Sequence, residues 1–188
     1  MVFQMTDFGK RLREFERMGL CGKSPFTKRL AQSYLAKADH NLMVGSVMSE
    51  LADNDGAKKE LKVPADFSAF DWVAVSAYYA MYHSALAALS TIGYKSSNHT
   101  ATMVALEVFF VEKRLLESGF VYKLRHAREL EEAYIQKLQY ARKQRETAQY
   151  GVTEETGKDA AKALLKDARS FVDRMDVLVD ELAKLEQG

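Results

Sequence analysis

The sequence predicts an all-α protein, an up-and-down bundle of four to five helices, and three observations carry that expectation. The chain holds only two prolines, Pro25 and Pro64, both where loops or helix starts are expected, and it is rich in Ala, Leu, Lys, Glu and Arg, the residues that lose least on entering a helix. The stretch from Phe70 to Gly93 carries no formal charge between Asp71 and Lys95, and a helix uncharged all round must be enclosed by others. The segments on either side repeat apolar residues at steps of three and four, the pattern of amphipathic partners. With 188 residues there is material for one substantial core. We therefore expect a bundle over residues 24–188, preceded by an N-terminal extension, residues 1–23.

The extension reads as a poorly anchored lead-in with a short helix around Lys10 to Met18, where Leu12, Phe15 and Met18 cover a bundle edge and Arg11, Arg13 and Arg17 add local positive charge. Ser24 before Pro25 is a helix-start signature, a hydroxyl to cap free amides and a proline at the first helical position. From there Ala31, Leu35, Ala38, Leu42 and Gly45 mark one face of a helix running to about Ala52, on which His40 is expected to be solvated. Asp53 to Ser68 combines turn residues, charge and a proline, which predicts a long loop.

In the uncharged stretch, Val75, Tyr78, Tyr79, Tyr82, Leu86 and Leu89 gather into a stripe about 100° wide. Ala77, Ala80, Ser84, Ala87 and Ala88 lie opposite, small enough for a second helix to approach closely. A membrane span is disfavoured, because the run is rich in Ala, Tyr and Ser, contains His83 and has no counterpart elsewhere in the chain. After Gly93, Ser96 or Ser97 is expected to cap a third helix built on Met103, Leu106 and Phe110 and ended by Gly119, with His99 near its start in a capping or surface role. A fourth helix is expected from about Tyr122 to Gln149. A fifth begins at Thr153 with Glu154 and Glu155 at the positive end of its dipole. Its apolar seam runs Ala161, Leu164, Ala168, Phe171, Met175, Leu178, Leu182 and Leu185, and it packs either within the bundle or across a dimer.

Composition narrows the function classes. Lys and Arg total 27 against 26 Asp and Glu, so no overall field draws in nucleic acid and any basic patch is local. The single cysteine, Cys21, excludes an intrachain disulfide and a cysteine-based zinc cluster. No apolar leader opens the chain, which is expected to be cytoplasmic. No two histidines or carboxylates show metal-ligand spacing on one face, so no metal and no cofactor are expected.

The fourth helix holds the most informative residue. Tyr134, Leu138, Ala141, Arg145 and Ala148 fall within about 80° of one another on a helical wheel, so Arg145 points where apolar groups point. A guanidinium so directed costs several kcal/mol unless it is paired. It therefore requires a buried ion pair, a snorkelling geometry, or an anion such as a phosphate. Gly151 after Tyr150 suits the left-handed cap at the helix end, which puts an inward arginine and a phenol beside a helix terminus.

The segment Ser76, Tyr78, Tyr79, Ala80, Met81, Tyr82, His83 and, far down the chain, Arg145 to Gly151 (RETAQYG) together resemble the HEPN superfamily, in the branch associated with minimal nucleotidyltransferases. The likeness covers roughly residues 26 to 185 and rests on the two motifs lying on the second and fourth main helices. It implies an up-and-down bundle, usually dimeric, in a family with many metal-independent ribonucleases and toxins. The family's site is an arginine followed a few residues later by a histidine near the end of the fourth helix, completed by the same site of a second subunit. Arg145 matches the arginine, Glu146 the polar position after it, and Ser76 the polar residue of the second helix. Tyr150 stands where the histidine is expected. A phenol with an ordinary pKa near 10 donates a hydrogen bond but is a poor base at neutral pH, unlike imidazole. His83 replaces the missing imidazole only if it faces the Arg145 groove.

These readings give three functions to test. In the first, toxin–antitoxin-like, the chain is a helical module that pairs with a minimal nucleotidyltransferase and recognises a nucleotide or RNA phosphate through Arg145. Arg142, Ser76 and Tyr79 assist there, and Tyr150 is the tyrosine that the resemblance marks for modification by the partner. In the second it is a dimeric metal-independent ribonuclease with Arg145, Tyr150 and His83 as its catalytic residues. In the third it is a non-catalytic structural homodimer in which Arg145 closes a salt bridge.

Overall fold

The computed structural model describes residues 7–146 and 157–185, with side chains described for 7–132 and 157–185. Among the described residues the fold is all-α, a helical bundle with one two-stranded ribbon. Its elements are α1 (Asp7–Arg17), β1 (Cys21–Lys23), a 3-10 segment (Pro25–Leu30), α2 (Ala31–Asp53), α3 (Asp55–Glu60), α4 (Phe70–Thr91), β2 (Tyr94–Ser96), α5 (His99–Leu106) running on into a π-helical turn (Glu107–Val111), α6 (Ser118–Glu146) and α7 (Lys158–Leu185).

The uncharged helix α4 is the axis of the molecule, packed chiefly against α2 and α7 and also against α6. Ala77, Ala80, Met81, Ala85, Ala87, Ala88 and Leu89 are all fully buried. Small residues around much of its circumference let its neighbours approach closely and fill the space with dispersion contacts. One close approach is at Gly45 of α2, where a Cβ would stand 3.0 Å from Leu165 Cδ1 of α7 and 3.4 Å from Ser76 Cβ of α4. At the other end of α4 the chain turns at Gly93, whose φ of +69° disfavours any side chain and whose carbonyl accepts from Ser24 N at 2.7 Å. The α7 seam packs within the chain: all its residues except Leu185 are buried in the described structure.

Several expectations are corrected. The lead-in is not poorly anchored over its described part. Leu12 is buried in the core, Phe8 and Phe15 pack against it, and β1 pairs antiparallel with β2 in the register Cys21 to Ser96 and Lys23 to Tyr94. Tyr94 donates to Glu16 Oε1 at 2.9 Å, and the Cys21 sulfur lies 3.3 Å from the same phenol oxygen. Met18, in contrast, is exposed.

Ser24 caps nothing with its side chain, and the segment after Pro25 is 3-10 rather than α. Residues 53–68 are not one long loop. Asn54 Oδ1 accepts from Ala57 N at 3.0 Å and starts α3, and the buried Lys58 closes the following turn by donating to Ala65 O at 3.0 Å. Asn98, not Ser96 or Ser97, caps α5 through Ala101 N at 3.0 Å. The third helix ends at its π-helical turn, with Arg114 left-handed at φ 60°, and Gly119 already lies inside α6. The expected start of the fifth helix at Thr153 lies outside the described residues, and α7 is described from Lys158.

No helix among the described residues is long and apolar enough to cross a membrane.

Candidate functional site

The Tyr-rich stripe of α4 gathers rings from three helices. At its inner end Tyr78 is fully buried, and its hydroxyl meets Nδ1 of His99 in the first turn of α5. Tyr82 stacks on the His99 ring with centroids 4.2 Å apart and planes 21° apart. Tyr79 meets Tyr78 edge to face at 5.3 Å, the offset geometry that aromatic quadrupoles favour. At its outer end His83 is half-buried, tilted against Tyr79 and Tyr82, and nearly parallel to Tyr34 of α2 at 6.3 Å and 19°. Asn41 of α2 brings its amide nitrogen within 3.4 Å of His83 Nδ1. Lys37, one turn before Asn41, holds its ammonium 5.9 Å from the Tyr34 ring centre, within cation–π range.

Charges from α6 border the inner end. Arg128 is held by Glu132, Nε to Oε1 at 2.8 Å, and donates through Nη1 to Thr100 Oγ1 at 2.6 Å. Glu131 is buried, its carboxyl pushed up first by desolvation and next by Glu132, with Arg128 opposing.

These surroundings set the protonation of the rings. Burial lowers the His83 pKa and the Lys37 ammonium lowers it further, against a backbone hydrogen bond at Tyr79 that raises it. Burial and then Arg128 likewise lower His99, with Glu132 opposing. Starting from an ordinary value near 6.5, both imidazoles are neutral at pH 7. Tyr78 is pushed up, mainly by desolvation, so it keeps its proton and donates to the neutral His99 ring. The inner rings thus form a wall whose polar groups are satisfied. The outer rings, Tyr34, Tyr79 and His83, are only partly covered and offer stacking faces, an imidazole able to accept a proton, and the Lys37 cation nearby.

Of the residues expected at a site, the structure brings Tyr79 and His83 together. Ser76 is buried instead where α4 meets Gly45. Arg142 and Arg145 belong to the last turns of α6, but their side chains, and Tyr150 altogether, lie outside the described residues. His99 does not take the capping or surface role expected of it, because Asn98 fills the capping position and turns the next side chain onto Tyr82. His40 is exposed, as expected. Sequence reasoning missed Tyr34, Lys37, Asn41, Arg128 and Glu131. Only Glu131 carried a local signal, a carboxylate beside the apolar positions Ala127 and Leu130 of α6.

Comparison with known proteins places the fold in context. The chain is 31% identical over 118 residues to a UPF0332 protein of Archaeoglobus fulgidus, an alignment covering 63% of this chain and 79% of that protein. The family model of the HEPN domain matches residues 52–178, which takes in all of α4, α5 and α6 and most of α7. The chain therefore belongs to the HEPN domain family.

Proposed function

We propose that this chain is a HEPN module that pairs with a nucleotidyltransferase partner and recognises a nucleotide or RNA phosphate. Arg145, aided by Arg142, meets the phosphate at the end of α6, and the base lies on the outer rings of α2 and α4. The observation that carries the reading is the half-covered stack of Tyr34 and His83 with Lys37 beside it. Flat rings accept any base, and a cation at their edge accepts its phosphate. A neutral imidazole suits this role because a stacked base is spared a desolvated charge.

Binding of a short fluorescent single-stranded RNA to the full chain tests the reading. Tyr34→Ala and His83→Ala are each expected to cost about 1–3 kcal/mol, the usual worth of one base stack, and Arg145→Ala is expected to weaken binding further and flatten its salt dependence. Unchanged affinity in both ring variants contradicts the stacking face. The pairing is tested separately by mixing the chain with a nucleotidyltransferase and ATP. A complex and a mass increase on Tyr150 are expected, and the absence of both removes the partner from the proposal.

The neutral, partly open His83 also favours a second reading, a metal-independent ribonuclease working as a homodimer. Here His83 takes the proton of an attacking 2′-hydroxyl, Arg145 stabilises the pentacoordinate phosphate and Tyr150 protonates the leaving oxygen. RNA cleavage that persists in EDTA and disappears in both Arg145→Ala and His83→Ala is its signature. Cleavage retained by either variant rules it out.

A further inference from the structure

A cleft of about 260 Å³ opens between α1, α5 and α6, outside the ring stack. The buried Met103 and Val104 and the half-buried Phe8 give it an apolar lining, and Arg11, Arg125 and Glu107 give it charge. Three observations indicate what it takes. First, Arg11 of α1 and Arg125 of α6 reach the cleft from separate elements, and neither guanidinium makes a hydrogen bond or ion pair among the described residues. Glu107 is the electrostatic neighbour of Arg125, so the two guanidiniums and one carboxylate leave the cleft one positive charge in excess, which a planar fork can direct at an anion. Second, Thr100, which also lines the cleft, accepts from Arg128 Nη1 at 2.6 Å. That bond occupies a lone pair of its oxygen and leaves the Thr100 O–H free to donate to an acceptor in the cleft. Third, Glu107 opens the π-helical turn, with Glu112 N donating to Glu107 O at 2.9 Å. Such turns are frequent at functional positions, and this one, at the end of α5, presents a carboxylate to the same space.

We propose that the cleft binds a phosphate monoester with a flat, partly apolar body, of the class of a nucleoside monophosphate. The phosphate lies between Arg11 and Arg125 and accepts from the Thr100 hydroxyl. The body packs on Phe8, Met103 and Val104, and its N–H or O–H groups donate to Glu107. A phosphate, with several oxygens and close to two charges, satisfies two forks and a hydroxyl better than a carboxylate does. Inorganic phosphate leaves the apolar lining uncovered, so it binds more weakly. The site uses none of the outer rings of α2 and α4, and it stands or falls independently of the function proposed for them.

Calorimetric titration of the full chain with AMP, GMP, inorganic phosphate, the corresponding nucleosides and a 5′-phosphorylated RNA oligonucleotide tests it. Arg11→Ala and Arg125→Ala are each expected to weaken nucleoside monophosphate binding about tenfold or more, the worth of a lost charge-assisted hydrogen bond. Glu107→Gln is expected to weaken the monophosphates and leave inorganic phosphate unchanged. Circular dichroism checks that the variants stay folded, and both arginines are exposed. Lys59→Ala, at an exposed position of α3 that lines neither this cleft nor the ring stack, is expected to bind the monophosphates as the parent chain does. Tighter binding of the phosphorylated RNA than of AMP or GMP, lost with the same arginines, identifies a strand end as the ligand's source, and the reverse order identifies a free nucleotide. The proposal is overturned if neither nucleotide binds or if binding survives both arginine substitutions.

Discussion

His99 ties a titration to the buried ring stack. Its folded-state pKa is lowered, and so is that of His83. A group depressed in the fold contributes stability that is complete above its ordinary value, about 6.5 for imidazole, and is lost as pH falls through the folded value. Glu131, raised by burial, acts in the opposite sense: its contribution is complete below the usual carboxylate range and lost as pH rises through its raised value. Tyr78, Tyr82, Arg128 and Glu132 surround His99. From pH 7 to 5.5 the melting temperature is expected to fall, and His99→Phe, which keeps the stack on Tyr82 and cannot titrate, is expected to fall less. Equal slopes for the two proteins across pH 7 to 5.5 contradict this assignment. Tyr78→Phe removes only the hydroxyl and is expected to cost about 1 kcal/mol, as one hydrogen bond does, measured by urea unfolding. Of these residues Tyr78 and Tyr82 announced themselves as part of a buried helical stripe. His99 carried no sign of burial, because what turns it inward is the Asn98 cap and a ring on another helix.

Among elements, α4 was the most readable and α3 the least. An uncharged run with alanines and a serine on one face leaves few alternatives to a buried helix, and the alanines there are indeed enclosed. In α3 the turn formers Asn54, Asp55 and Gly56 masked a helix whose existence depends on the Asn54 cap and on Lys58 reaching Ala65 O. The α2 and α4 pair yields a prediction at this scale. Gly45→Ala gains helix propensity of up to about 1 kcal/mol but brings a methyl to 3.0 Å from Leu165 Cδ1. That side chain is half-buried and can turn away, so a change within about 1 kcal/mol of neutral is expected in urea unfolding. Gly45→Val leaves no such escape, because it also crowds Ser76 Cβ at 3.4 Å, and it is expected to cost about 1–3 kcal/mol. A stabilised Gly45→Val protein shows that the helices are not packed this closely.

At the scale of the molecule, α1 and β1 are tied to the core. Apolar spacing at Leu12 and Phe15 was visible in the sequence, yet nothing local announced that Cys21–Lys23 pairs with Tyr94–Ser96, since three-residue strands carry too few side chains for a period to show. Leu12→Ala is accordingly expected to cost about 2–5 kcal/mol of whole-domain stability, as other buried leucines do, in a single unfolding transition. A loss near zero, or a separate early transition, marks the segment as an appendage. Opposite the ribbon in sequence, Asp53 at the end of α2 joins Lys158, at 2.6 Å, and Lys162 of α7, and the two lysines hold its carboxyl below its usual range. That exposed clasp contributes above the ordinary carboxylate pKa and is lost as pH falls through the lowered value. Helical class, the central element and the α7 seam were thus open to reading from spacing alone. The ring site was open only in its α4 half, because Tyr34, Lys37 and Asn41 join it through the approach that Gly45 permits.

The face of α4 that carries the functional proposal also carries a direct reporter. In the full chain with histidines labelled in the imidazole ring, nuclear magnetic resonance separates four residues: His40 and His126 in solvent, His99 in the inner stack and His83 in the outer one. On titration with a short single-stranded RNA, the account predicts that the His83 ring signals move with the binding isotherm while those of His40 and His126 stay in place. RNA that saturates the protein and leaves His83 unmoved contradicts it.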